Sequence, residues 1–484
     1  MSQSYPVLVS RNPFRRIGNW YVGLPEEETE KPPLLFVHGL HSSSKKWFEN
    51  TNQSGHNDMY QLAKRAGYPT AFVDLNTGQE SIWENGKILS QRIKEIYHFF
   101  GNKKINIIGH SKGGVDAQTA LIFYQSYEYV DRLITLGTPH YGSPLADLAF
   151  SDKGRHLAKL LAYNDLGTYQ MQTGYMQKMR EKIDVMAKKK PIAYYTIYGV
   201  DATNHLSSYL HWSGKYLSQY GANDGVVLVK DAGLPYSTHI SGHWNHDNIR
   251  LGKNIFPFID RIVNTHKKIN PIQLEQRKQE WILYPLLLHG GQLRGNQETF
   301  QFYVPKYEKG IDIQGLSSSA QVEIELVMPN QQKIRMRSEG IQMDDLFDGA
   351  YLYQFSLSNP KSGAYQIHIK GNRREAFFIM VSLDSFQHEA IHIRQENLCD
   401  SVSTLQIQFQ SPDYWQKDSL MIHINGGQNQ LTPRINHSMI NAEWRLPNVK
   451  SIANLRVHLS MKTKYGEKIE RDYVKSFVHS KYKL

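Results

Sequence analysis

Residues 105–114 read Ile105-Asn106-Ile107-Ile108-Gly109-His110-Ser111-Lys112-Gly113-Gly114, an apolar run that breaks at a glycine-flanked serine and continues into the helix-compatible stretch Val115 to Ser126. A strand that turns sharply into a helix strains the backbone at its apex, and side chains two places to either side would collide; Gly109 and Gly113 meet that demand. Such a turn holds the Ser111 hydroxyl, with His110 beside it, above the carboxyl edge of a sheet. It also sets the serine at a helix N-terminus, where free N–H groups and the helix dipole favour an oxyanion. Ser111 is therefore a candidate nucleophile. The plainer alternative is a glycine-rich turn whose serine only caps the helix.

Outward from this turn, the chain up to about residue 270 alternates short β-branched or aromatic runs with longer helical stretches, the pattern of a mostly parallel sheet with helical crossovers. Expected strands are Leu34 to Val37, Thr70 to Leu75, Ile105 to Ile108, Leu133 to Leu136 and Ile192 to Tyr198. Expected helices are Met59 to Ala66, Lys87 to Phe100, Val115 to Ser126 and Ile249 to Lys268. After about residue 290 the period becomes two, as in Gln321 to Leu326, Tyr365 to Ile369, Leu405 to Phe409 and Leu455 to Leu459, which reads as half-buried antiparallel strands. The expected organisation is an α/β domain over 1–270, a linker over 271–289 and two all-β sandwich modules over 290–388 and 389–484, loosely similar to immunoglobulin-like or pre-peptidase-like repeats.

The chain has 484 residues, 40% hydrophobic and 21% charged, enough apolar side chain for packed cores and too little charge bias for disorder. The longest apolar stretch, Trp281 to Leu288, is far short of the roughly 18 residues that span a membrane. Met1 to Pro6 leads to Arg11 and Arg15-Arg16 without an apolar segment, so no signal peptide is expected and the default compartment is cytoplasmic, with secretion or a cell-surface location as the alternative. Lys and Arg number 56 against 45 Asp and Glu, a net +11 whose scatter does not suggest nucleic-acid binding; Lys188-Lys189-Lys190 reads as a solvated helix end. Cys399 stands alone, which excludes an intrachain disulfide and a cysteine-built zinc site.

A nucleophilic serine needs a base and an acid, which should follow it in the order Asp, His. With 21 histidines, position must select. Gly242-His243-Trp244-Asn245-His246-Asp247-Asn248, late in the α/β half, offers His246 as the base, with His243 and then His239 as rivals. Gly221-Ala222-Asn223-Asp224-Gly225 offers Asp224 as the acid, with Asp201 as the competitor. His38, at the end of Leu34-Leu35-Phe36-Val37-His38-Gly39-Leu40, reads as a histidine packed under the turn rather than a base. Lys112 and Asp116, four apart on the elbow helix, read as a structural pair.

Together with Leu136-Gly137-Thr138-Pro139-His140-Tyr141-Gly142-Ser143-Pro144-Leu145-Ala146-Asp147, these motifs resemble the bacterial true lipases, triacylglycerol lipases of the α/β-hydrolase fold, over about residues 15–265. The resemblance implies an α/β-hydrolase with a helical cap at about 145–220, Ser111 as nucleophile, Asp224 as acid, His246 as base, and the backbone N–H groups of Leu40 and Lys112 as oxyanion donors. It implies an ester or lipid substrate, transient contact with a lipid interface and no required cofactor. In many such lipases an acidic residue two places after the catalytic histidine helps bind a structural calcium; here that place is Asn248, with Asp247 beside it. The signal peptide and disulfide common in the family are not visible either.

The expected reaction is ester hydrolysis through an acyl-enzyme. The cap stretch holds Leu157, Leu160, Leu161, Tyr163, Tyr169, Met171, Tyr175, Met176, Met179, Tyr209, Leu210, Trp212 and Tyr216, which read either as an acyl-binding mobile cap or as the cap's own core. Two alternatives stand beside the lipase reading: an esterase for short or soluble esters or polyesters, and a non-catalytic surface-binding protein. The β modules are expected to serve surface or substrate adhesion, or to pack against the catalytic domain.

Overall fold

The computed structural model describes the chain except residues 1–4, 11–17, 28, 52, 76–80, 203–207, 266–285, 307, 341–348, 385–389, 400–401, 411–414, 425–428, 432–433, 437–438, 446–451 and 479–484. The α/β half is built on strands β1 (Val7–Ser10), β2 (Trp20–Gly23), β3 (Leu34–Val37), β4 (Thr70–Val73), β5 (Ile105–His110), β6 (Val130–Leu136), β7 (Ala193–Gly199) and β8 (Thr238–Gly242). They form one sheet in the order β1-β2-β4-β3-β5-β6-β7-β8. β1 and β2 pair antiparallel at the edge, and every pair from β4 through β8 is parallel.

The helices are α1 (Met59–Arg65), α2 (Ile82–Phe99), α3 (Lys112–Ile122), α4 (Pro144–Ala149), α5 (Arg155–Leu160), α6 (Leu166–Gln170), α7 (Thr173–Ala187), α8 (Ser208–Ser218), α9 (Val229–Ala232) and α10 (Gly252–Asn264). Alternate strand residues face opposite layers, so continuous apolar strands are buried on both sides. Leu34, Phe36, Phe72 and Ile108 pack on Met59 and Ala63 of α1 and Ile255 and Ile259 of α10. Leu35, Val37 and Ile107 pack on Leu89 and Ile93 of α2, Val115 and Leu121 of α3 and Met179 of α7. This is the α/β-hydrolase architecture expected from the sequence, with the Ser111 turn between β5 and α3.

Several helix ends differ from expectation: α3 already begins at Lys112, α10 is confined to Gly252–Asn264 after a 3-10 turn at Asn248–Arg250, and two further ends have plain local reasons. α2 begins at Ile82 rather than Lys87, because the Ser81 hydroxyl accepts the Glu84 N–H at 3.1 Å and caps the helix there. α3 ends at Ile122, and Gln125 turns left-handed with φ 58°, so the helix does not reach Ser126.

Among the described residues, the β-rich half holds three antiparallel sheets. One has nine strands and includes residues from both stretches read as separate modules. Its strand Leu286–Gln292, which begins within the stretch read as linker, pairs on one side with Ala376–Leu383. On the other side it meets Lys468–Val478 through the pair Asp472 and Leu286. Two four-stranded sheets complete the half. Period-two alternation marks single strands but carries no information about which distant strand each one joins. Most of the linker, Gln273 to Glu280 included, lies outside the described residues.

The cap helices lie between the two halves. α4 and α7 pack on strand Lys468–Val478, and α5 packs on Leu286–Gln292 and Ala376–Leu383. Leu145, Leu148, Leu157, Trp212 and Tyr216 share one core with Leu288, Phe378, Met380, Val474 and Phe477. Polar contacts reinforce it. Tyr220 OH donates to the Val474 carbonyl at 2.9 Å and accepts the Val474 N–H at 3.1 Å. The Gly174 N–H donates to Ser476 Oγ at 2.7 Å, and Asn454 donates to Gln172 at 2.6 Å. No helix among the described residues is long and apolar enough to cross a membrane.

Candidate active site

Ser111 sits at the apex of the β5–α3 turn with φ 53°, a region that a non-glycine residue occupies only when its surroundings impose it. Those surroundings are tight. A Cβ on Gly113 would lie 2.2 Å from the His38 carbonyl oxygen, and one on Gly109 would lie 2.7 Å from Gly114 Cα. The Ser111 N–H is fixed by the Leu136 carbonyl at 2.9 Å. Lys112 opens α3, so its N–H has no intrahelical acceptor.

His246 Nδ1 and Asp224 Oδ2 are 2.8 Å apart, and the His246 N–H donates to the Asp224 carbonyl at 2.8 Å. The other carboxylate oxygen, Oδ1, accepts the N–H groups of Val226 at 2.9 Å and Val227 at 2.7 Å, which fix its orientation. Ser111, His246, Leu40 and Lys112 line one cavity together with Pro139, Ser143, Ala146, Thr168, Met171 and Val226. The structure thus brings Ser111, Asp224, His246, Leu40 and Lys112 together.

It does not bring in the rivals. His243 is exposed, and His239 on β8 shares a hydrogen bond with Thr196 at 2.9 Å. Asp201 accompanies Trp244 through a backbone bond of 3.3 Å and does not border the cavity. His38 lies under the turn, its Nδ1–H donating to the Gly39 carbonyl at 2.9 Å and its Nε2 accepting the Leu75 N–H at 3.0 Å. His110 donates from Nε2 to the His246 carbonyl at 2.8 Å, which ties the elbow to the histidine loop. Burial, then the neighbouring His246, pushes the His110 imidazole well below its usual range; burial likewise lowers His38 and His140.

These three histidines favour the neutral form in the fold, so the unfolded chain binds more protons as pH falls below about 6.5. Stability should therefore drop on acidification, with His458, which is raised to about 9, opposing it. Urea midpoints at pH 7.5 and 5.5 check this: the lower value is expected at pH 5.5, and an unchanged or higher one would contradict it.

Gly137 follows β6 in the Leu136 to Asp147 motif, where the sequence alone does not mark it as a site residue. It has φ 54°, and a Cβ there would lie 2.9 Å from Asp224 Oδ2 and 3.1 Å from His246 Nδ1. Gly137→Ala should displace that pair and lower kcat by about 100-fold or more, the usual cost of about 1 Å of misplacement, with KM changed much less. Steady-state kinetics on a soluble ester measure both. Lys112 Nζ bonds Asp116 at 2.8 and 3.0 Å, and both side chains are buried. Burial raises the Asp116 carboxyl, with Lys112 opposing, so this pair orders the first turn of α3 and leaves no free cation in the cavity.

The donors around Asp247 do not suit a calcium ion. Its carboxylate is bonded to Arg250, to the Thr51 hydroxyl at 2.9 Å and to the Gln53 N–H at 3.2 Å. Burial would raise this carboxyl, but Arg250 overrides burial and holds it well below the usual range. Asn248 spends its side-chain oxygen on the Asn245 N–H at 2.9 Å.

The cavity is shut. It measures about 30 Å³, room for a water but not for an ester, and Ser111 is 9% and His246 1% exposed. The cap closes it. A Cβ on Gly167 of α6 would lie 2.8 Å from Leu40 Cδ1, and the N-cap of that helix, Asp165, lies 3.1 Å from His41 Nε2. Of the cap residues named from sequence, Met171, Tyr175, Met176 and Met179 pack toward the central sheet, while Leu157, Tyr163, Trp212 and Tyr216 join the core shared with the β half. Leu160 is exposed, and the side chains of Tyr209 and Leu210 lie outside the described residues.

Residues 28–174 match the family described as a PGAP1-like alpha/beta domain. The chain is 30% identical over 117 residues to a triacylglycerol lipase of Pseudarthrobacter phenanthrenivorans, a stretch that is 24% of this chain and 35% of that protein. A triacylglycerol lipase of Burkholderia plantarii matches equally, 30% over 117 residues, 24% of this chain and 31% of that one. The chain thus spans about a third of the length of these curated relatives. The crystal structure of Bacillus licheniformis lipase BlEst2 in propeptide form overlays with TM-score 0.74 and 28% identity, covering 96% of this chain and 99% of that one.

Proposed function

We propose that this chain, an α/β-hydrolase related to the bacterial lipases, hydrolyses carboxylic esters of acyl chains through Ser111, His246 and Asp224. The observation that carries the reading is the His246–Asp224 contact of 2.8 Å beside a serine held at positive φ on the strand–helix turn. His246 takes the Ser111 proton as the hydroxyl attacks the ester carbonyl, and Asp224 accepts from Nδ1–H to fix the tautomer and stabilise the imidazolium. The Leu40 and Lys112 N–H groups receive the tetrahedral oxyanion. His246 then protonates the departing alcohol, and water activated by the same base releases the acid. Leu40, Pro139, Ala146, Met171 and Val226 give the acyl group apolar walls.

The same cavity is too small for substrate, so the cap must move, and the β half holds it. Opening α4, α5 and α8 would break their shared core with Val474 and Phe477, at about 1.5–3 kcal/mol for each large side chain returned to water. This supports a latent enzyme whose β half clamps the cap, a reading in keeping with the likeness to a lipase in propeptide form.

Hydrolysis of p-nitrophenyl esters over a series of acyl lengths, with and without an emulsified interface, tests both parts. Wild type is compared with Ser111→Ala and with the loosened variant Tyr220→Phe plus Ser476→Ala. Turnover that needs Ser111, and rises severalfold in the loosened variant, is expected. Turnover confined to short acyl chains would favour the esterase reading. Turnover unaffected by loosening would remove the clamp.

A further inference from the structure

On the face where α5 meets the β half lies a second cleft, of about 920 Å³, separate from the Ser111 cavity. Its walls come from both halves. Lys153 and Arg155 belong to the cap side, at the start of α5, and Arg294, Arg373 and Arg374 belong to turns of the β half. The halves touch closely there, since a Cβ on Gly290 would lie 2.6 Å from the Lys153 carbonyl oxygen.

Five basic side chains line this cleft, and none of them forms an ion pair among the described residues. Among the described residues, two carboxylates line it. Asp152 is engaged by Arg456 at 3.2 Å, and Glu298 lies 3.8 Å from His289 Nε2. Gln292, His156 and His289 also line it, and both histidines are held toward the neutral form by burial and by the adjoining cations. Burial, then the neighbouring Arg456, lowers the Lys153 ammonium, with Asp152, Asp472 and Glu298 opposing. Like charges brought together in a concave surface repel one another unless an anion joins them.

We infer that this cleft binds a soluble polyvalent phosphate-type anion, whose oxygens bridge Lys153 and Arg155 of the cap to Arg294, Arg373 and Arg374 of the β half. Guanidinium forks match the paired oxygens of such groups, and the volume suits a ligand carrying several of them. Because both halves supply ligands, binding stabilises their docked arrangement by mass action. Only the expected effect on turnover rests on the ester-hydrolase reading; the binding itself does not.

The test is calorimetric titration of the full chain with sodium tripolyphosphate at constant ionic strength, with thermal unfolding followed in parallel. The variant Arg294→Ala, Arg373→Ala, Arg374→Gly removes three exposed side chains; glycine is chosen at 374 because that residue has φ 84°. Saturable binding that raises Tm, and at least a tenfold loss of affinity in the variant at unchanged Tm without ligand, is the expected result. Lys153→Met provides the same comparison from the cap side. Equal binding by wild type and both variants, or a Tm rise matched by sodium chloride at the same ionic strength, would overturn the proposal. A third arm uses phosphatidylglycerol vesicles: vesicle binding lost in the triple variant, without tripolyphosphate binding in the wild type, would replace the soluble ligand by a membrane surface. If tripolyphosphate binds as expected and no ester is turned over, the cleft stands and the ester-hydrolase reading falls.

Discussion

Ser111→Ala will lower ester turnover by on the order of 10⁵- to 10⁶-fold, because the residue that forms the acyl bond is gone while the fold around it is kept. Alanine is smaller than serine and makes no new contact at the turn, whose geometry is imposed by Gly109, Gly113 and the Leu136 carbonyl. Asp224→Asn should cost about 10⁴-fold by presenting the wrong group to His246 Nδ1. Its Oδ1 would still accept from Val226 and Val227, so folding should survive. Turnover of a soluble ester, with circular dichroism to verify folding, separates lost chemistry from lost structure. A Ser111→Ala enzyme within tenfold of wild type would contradict the assignment.

The largest expected effect on stability lies far from the serine, at Asp472. This buried carboxylate accepts Arg456 Nη1 at 2.6 Å, His458 Nδ1 at 3.1 Å and the Leu288 N–H at 3.0 Å. Burial would raise it, but His458 and Arg456 hold it below the usual carboxylate range. It sits where strand Leu286–Gln292 joins Lys468–Val478, and Arg456 continues the network to Asp152 of the cap side. Asp472→Ala leaves a buried guanidinium and imidazole with one less partner, and should destabilise the protein by about 3–5 kcal/mol.

The same network predicts a pH dependence. Although burial disfavours its charge, bonds to Asp472 and Glu470 raise His458 to about 9. A raised histidine contributes stability that is complete below the unfolded value near 6.5 and is lost as pH climbs from there through about 9. Urea unfolding between pH 6.5 and 9.5 should show a fall in wild type that is much smaller in Asp472→Ala. A parallel fall in both would contradict this role.

The α/β half was legible because its information is local. Leu34 to Val37 is a continuous apolar run with β-branched or aromatic members, and both of its faces are covered. The glycines around Ser111 mark a turn that no other residue could make. His246 and Asp224 could be ranked only by chain order, and it is burial and distance that separate them from His243, His239 and Asp201. What could not be read was long-range. Tyr220 reaches Val474, and Gly174 reaches Ser476, across hundreds of residues, and neither pairing leaves a periodic trace. The cap's apolar side chains looked the same whether destined for acyl chains, for the cap itself or for a neighbouring sheet. The structure assigns many of them to the last.

The most direct test of the account is covalent labelling by diethyl p-nitrophenyl phosphate, followed by mass spectrometry of the digested protein. The account predicts one diethylphosphoryl adduct, on the peptide carrying Ser111, formed faster in the loosened Tyr220→Phe plus Ser476→Ala variant and absent in Ser111→Ala and His246→Ala. A label on another residue, or ester turnover persisting with Ser111 unlabelled, would contradict it.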